Sequence, residues 1–155
     1  MKCGADIPKA LLGKHLSNER VVVLEGRHKD LGLKDLGADE ISDRLNSISW
    51  VICGNEYVLL VDAQSVIRDV IPFPPHSKTA PAFSGTCQMK GQDSPDLVVA
   101  VLENQEASGN QTGPKALLPA SAAWKIDQKA QKFLKIPTVG LLCPRSGIYT
   151  VDGGL

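Results

Sequence analysis

The residues of this chain best equipped for covalent chemistry are its four cysteines, Cys3, Cys53, Cys87 and Cys143. None lies in a Cys-x-x-Cys pair and no His stands at ligand spacing from one, which argues against a zinc site. Four thiols allow three disulfide connectivities. Fifty residues separate Cys3 from Cys53 and fifty-six separate Cys87 from Cys143, so one bridge in each half is the simplest pairing. Closing loops of that size stabilises a fold by about 3–5 kcal/mol per bridge in the chain-entropy account. The competing reading is four buried free thiols in a cytosolic protein. Disulfides imply an oxidising compartment instead, a periplasm or the outside of a cell. The chain begins Met1-Lys2-Cys3-Gly4 without an apolar leader, so the exported form expected here is a mature one behind an added start Met.

Other chemistries find little footing. Nucleophilic catalysis needs a Ser or Cys beside a base, yet there is no Gly-x-Ser-x-Gly elbow, and Phe83-Ser84-Gly85-Thr86-Cys87 matches no activated-nucleophile pattern. Gly109-Asn110-Gln111-Thr112-Gly113-Pro114-Lys115 fails as a phosphate loop, because its glycines are too close and Pro114 sits where the Lys should follow. Asn110-Gln111-Thr112 is a glycosylation acceptor, of consequence only in a eukaryotic secreted protein. His15, His28 and His76 are too dispersed to hold a metal, and neither a metal nor a cofactor is expected.

The densest set of polar groups is the segment from Glu25 to Asp35. There Glu25, Arg27, His28 and Asp30 could contact a partner. The alternative is a solvated loop of local ion pairs, each worth under ~1 kcal/mol. Phe73, set between prolines, is either an exposed anchor for a partner or an aromatic closing the end of a core strand. Lys125, Lys129, Lys132 and Lys135 form the one basic cluster, read as the solvated face of a hairpin. Lys plus Arg and Asp plus Glu number 17 each. A neutral chain speaks against attraction to nucleic acid or anionic lipid, which needs a basic excess. No apolar run reaches the ~18–20 residues of a membrane span.

These groups must be positioned by a β-rich chain. Ile48–Asp62 places two apolar runs either side of Gly54-Asn55, a pair suited to a two-residue turn. Folded there, Ile52 meets Tyr57, Trp50 meets Leu59 and Ile48 meets Val61. Val51 and Val58 line the second face, so the hairpin is apolar on both sides and expected to be covered on both. Before it, Asp6 caps a short helix with Pro8 in its first turn and Ile7, Leu11 and Leu12 on one side. Val21–Leu24 is a branched apolar strand. The segment from Glu25 to Gly37 reads as a loop, and Asp39 as the cap of a helical turn in which Ile41, Leu45 and Ile48 share a face. Val66–Ile71 supplies a further strand after the turn Asp62–Ser65.

Four prolines between Pro72 and Pro81 break regular structure. Beyond them Leu97–Leu102 is a fully apolar strand, and Glu103–Lys115 a polar loop. Ala122–Ile136 is a second Trp-led hairpin, with either a three-residue turn or a four-residue turn that sets Phe133 opposite Ile126. Val139–Cys143 and Ile148–Val151 are further strands, and Gly153–Leu155 a tail.

The fold class that follows is α+β and β-rich, with antiparallel meander sheets and one or two short helices, and with two similar halves as one arrangement. The divisions are an N-terminal half over 1–71, a connector over 72–83 and a C-terminal half over 84–155, or else one continuous domain over 1–152. The function expected is that of a small exported, non-enzymatic binding protein in the periplasm or outside the cell. It would act on a protein partner in the envelope, as an inhibitor or an immunity protein does. The alternatives are an envelope hydrolase with a noncontiguous acid/base pair and a structural domain of an envelope assembly.

Overall fold

The structure, a computed structural model, describes residues 3–16, 32–104 and 116–149. The expected strand Val21–Leu24, the loop residues Glu25, Arg27, His28 and Asp30, the sequence Gly109–Lys115 and the tail Gly153–Leu155 lie outside them. The chain divides into two units, Met1–Phe73 with Gln128–Phe133, and Pro74–Asp127 with Leu134–Leu155.

The first unit opens with α1, Ile7–Leu11, where Asp6 Oδ1 accepts from the Lys9 amide at 3.2 Å and Pro8 occupies the first turn. Ile7 and Leu11 are buried. The segment after the helix runs beside a later strand, with Gly13 N donating to Ile67 O and Ile67 N to Lys14 O, both at 2.8 Å. Four antiparallel strands follow as a meander: β1 Lys34–Ser42, β2 Leu45–Ile52, β3 Asn55–Asp62 and β4 Ile67–Phe73.

Two expectations need correction here. The helical turn capped by Asp39 and the loop character of residues 34–37 both give way to β1. Asp43 and Arg44 close a two-residue hairpin that sets Ser42 opposite Leu45. Ile41, Leu45 and Ile48 have helical spacing, but pairing along β2 outweighs one cap and one stripe of side chains. Bulges between Asp35 and Gly37 and between Glu40 and Ser42 absorb the irregular sequence of this strand.

The central hairpin also turns one residue earlier than its Gly54-Asn55 pair suggests. Ile52 pairs with Asn55 and Trp50 with Tyr57, so the turn is Cys53-Gly54, with φ of 55° and 80°. A two-residue turn with both φ values positive wants Gly at its second position, and Gly54 stands there only in this register. The slip moves each partner by two residues, which leaves every side chain on its expected face. Ile48, Trp50, Ile52, Leu59 and Val61 form one core with Ile7, Leu11, Leu16, Ile67 and Val70. On the opposite face Leu45, Ser47, Val58 and Leu60 are buried as well. Gln128–Phe133 belongs to this unit, and the Phe133 amide donates to Asp69 Oδ2 at 2.8 Å.

The second unit contains β5 Ala82–Met89, β6 Gln92–Leu102, β7 Leu117–Asp127, β8 Lys132–Lys135, β9 Leu141–Pro144 and β10 Ile148–Tyr149. β8 begins within the stretch counted with the first unit. The strand order is β10-β5-β6-β7-β8, and β9 pairs with both β5 and β7. Strands β5, β6, β7 and β9 therefore close into a ring around Phe83, Val98, Ala100, Leu102, Leu118, Ala120, Ala123 and Leu141. β5 begins inside the expected connector; its polar Ser84-Gly85-Thr86 run conceals a strand whose inward residues are Phe83 and Cys87. Phe83 is accommodated by a glycine in the 3₁₀ turn Arg145–Gly147, since a Cβ on Gly147 would lie 2.2 Å from Phe83 Cε2. The turn between β7 and β8 has the four-residue form, with Ile136 N bonded to Ala123 O at 3.1 Å.

Both units contain a four-strand antiparallel meander. Their Trp-x-Ile sequences occupy different places in it, the second strand in one and the third in the other.

Candidate functional site: a polar network at one end of the second unit

The sequence from Pro74 to Pro81 lacks amide donors at its prolines, and Ser77, Thr79 and Ala80 between them bond to one another. Ser77 N bonds to Ala80 O at 2.9 Å, Ala80 N to Ser77 Oγ at 3.3 Å, and the hydroxyls of Ser77 and Thr79 lie 3.2 Å apart. This turn presents two carbonyls to Asn104, just beyond the end of β6. Asn104 N donates to Thr79 O at 2.9 Å and Asn104 Nδ2 to Lys78 O at 3.1 Å. The side-chain oxygen of Asn104 then accepts from Arg145 Nη2 at 2.6 Å. A carbonyl only accepts and a guanidinium only donates, so these two partners fix which way the amide faces.

Arg145 arrives here because β9 ends at Pro144 and the 3₁₀ turn carries the chain back toward β10. Its backbone amide donates to Ala116 O at 2.8 Å. The side chain is half-buried, and its Nε is covered without an acceptor. No carboxylate of a described residue lies within 4.0 Å of it, and Asn104 is its one side-chain partner. A guanidinium offers five donors in a planar fork suited to an oxyanion. The arrangement therefore holds one positive charge in a fixed direction, with no carboxylate against it among the described residues.

The residues singled out from sequence are distributed otherwise. Cys3 is bonded to Cys53 and Cys87 to Cys143, with Cα separations of 5.7 and 4.4 Å, and none of the four is free. The first bridge ties the N-terminal segment to the β2–β3 turn. The second lies inside the ring of strands, where Cys87 and Cys143 sit one step from the Gln88–Leu142 pair. Such bonds belong to a protein that folds under oxidising conditions. Phe73 ends β4 with 5 % of its surface exposed, so its ring closes the end of a core strand and offers no surface anchor.

His15 joins Val66 through a backbone bridge and His76 lies in the connector. Among the described residues no group of three or more His, Cys, Asp or Glu could hold a metal ion, and no helix is long and apolar enough to cross a membrane. Of the basic cluster, Lys135 Nζ lies 5.8 Å from the centroid of the Trp124 ring.

Sequence reading missed Asn104 and Arg145 altogether. They are 41 residues apart, and Asn104 meets Lys78 across 26. No local motif marks residues that only strand closure brings together. Set against known proteins, the chain matches no family model, no curated protein and no solved structure.

Proposed function

We propose that this is a non-catalytic binding protein of an oxidising compartment, periplasmic or extracellular, which acts on a protein partner as an inhibitor or an immunity protein does. The observation that carries the reading is the covalent stapling of both β units, by Cys3–Cys53 and Cys87–Cys143. Scaffolds of this kind hold loops and side chains in place outside a rigid frame, and binding residues concentrate on such loops. A surface held in advance loses less entropy on association, which favours recognition of a folded partner.

The test is affinity capture from a cell-envelope extract with the oxidised protein as bait, followed by reconstitution with the purified captured protein. A one-to-one complex that alters the partner's activity is the expected result. If no protein is retained above a reduced, alkylated control, or if the retained protein fails to bind once purified, the proposal is wrong.

A further inference from the structure

We infer that the Cys3–Cys53 bridge is a site of thiol–disulfide exchange that opens while the protein stays folded, with a dithiol as its co-reactant. The two bridges close loops of similar size, 50 and 56 residues, but their surroundings differ. Exchange requires a thiolate to reach one of the two sulfurs. Cys87 and Cys143 are 3 % and 0 % exposed and belong to the core of the second unit, so reaching them means opening β5 and β9. Cys3 is exposed, as are Gly4 and Ala5 after it, and Cys53 is half-buried at the turn between β2 and β3. Access alone separates the two, and exposed bridges are the labile ones.

The fold nearby has other means of holding its shape. Ile7 and Leu11 bury one side of α1 in the core of the first unit. The chain after the helix is tied by Gly13 N to Ile67 O and Ile67 N to Lys14 O, both at 2.8 Å, and by Leu16 N to Ser65 O at 2.7 Å. The hairpin keeps its register through eight pairs from Leu45–Asp62 to Ile52–Asn55. Opening the bridge therefore releases the exposed residues 3–5 and leaves helix and sheet docked. The turn adds a second observation. Cys53 has a φ of 55°, a left-handed conformation that Asn, Asp or Gly fills at lower cost. Cys is not the residue this turn calls for, and its bond accounts for its presence at the end of the hairpin.

The step balances with a dithiol. One of its thiolates attacks Cys3 Sγ, since Cys53 packs against the core and is the more screened of the two. The bond between Cys3 and Cys53 breaks, and Cys53 leaves as a thiolate that is then protonated. The second thiolate of the co-reactant attacks its own sulfur in the mixed disulfide, so that Cys3 leaves in turn and is protonated. Two electrons pass to the protein, the co-reactant ends as a disulfide, and the two protons it gives up are those the protein takes. This chemistry is independent of which partner the protein binds.

The experiment treats the oxidised protein with dithiothreitol in native buffer, blocks thiols with maleimide at intervals and maps the labelled peptides. Far-ultraviolet circular dichroism is recorded in parallel. Cys3 and Cys53 should be labelled together, at a rate proportional to dithiothreitol and with the dichroism unchanged. That rate should exceed the one for Cys87 and Cys143 by at least about a hundredfold, because a buried bridge exchanges only through rare open states. Glutathione, a monothiol, should leave a mixed disulfide that maps to Cys3. The inference is overturned if both bridges open at one rate or Cys87–Cys143 opens first. It is equally overturned if Cys3–Cys53 opens only as the dichroism is lost, or if glutathione is found on Cys53. Because every arm uses the unaltered protein, a variant that unfolds cannot obscure the result.

Discussion

At the scale of single residues, much of the structure depends on one atom's worth of space. Gly147 lies against Phe83, which is fully buried, and a Cβ there would fall 2.2 Å from the ring. Gly147→Ala must shift Phe83 or the turn that holds Arg145. Overpacking of this kind costs about 1–3 kcal/mol, so denaturant titration should show a lower midpoint with an unchanged slope. Asp69 is a second such point: its carboxylate takes the amides of Val70 at 2.9 Å and Phe133 at 2.8 Å. Asp69→Ala should cost roughly 1.5–3 kcal/mol, the range for hydrogen bonds to a charged group, measured in the same way. The two tryptophans also differ. Trp50 is 1 % exposed and Trp124 only half-buried. Acrylamide quenching should divide the emission into an inaccessible and an accessible part, and Trp124→Phe should abolish the accessible part alone.

Elements were legible in proportion to how local their determinants are. α1 could be read because Asp6, Pro8, Ile7 and Leu11 act within one turn. The faces of β2 and β3 could be read because alternation is independent of register, while the register itself was not: it depends on which residue of Cys53-Gly54-Asn55 takes which turn position. β1 escaped because its Gly37 and charged residues mimic a loop, and its strand character comes from β2. β5 escaped because Ser84 and Thr86, which lie outside the core, interrupt the apolar pattern of the inward Phe83 and Cys87. The candidate site was illegible for the same reason at longer range, as no property of Asn104 or Arg145 alone announces the other. The two bridges give the element-scale prediction. Their loops of 50 and 56 residues are equivalent in chain entropy, at about 4 kcal/mol each. Cys87 and Cys143 are 3 % and 0 % exposed, however, whereas Cys3 is exposed. Cys87→Ala with Cys143→Ala leaves a gap in the core and should destabilise more than Cys3→Ser with Cys53→Ser, as calorimetric midpoints of the two double variants would show.

At the scale of the whole molecule, the cysteines were the most informative letters in the sequence, because pairing neighbours along the chain is the simplest answer and is the one the fold adopts. That simplicity bears on how the bonds are made. The shortest loop open to an oxidised chain is neither native one: Cys53 and Cys87 are separated by thirty-four residues. Loop-closure scaling favours that wrong bridge over Cys3–Cys53 by about 1.8-fold in a fully unfolded chain. Oxidation of the denatured, reduced protein should therefore trap Cys53–Cys87 first, as peptide mapping after thiol blocking would reveal. A chain threaded N-terminus first into an oxidant meets a different choice. Cys53 emerges when Cys3 is its sole possible partner, and Cys87 then waits for Cys143. Direction of delivery, rather than any isomerase, would be enough to sort the four thiols.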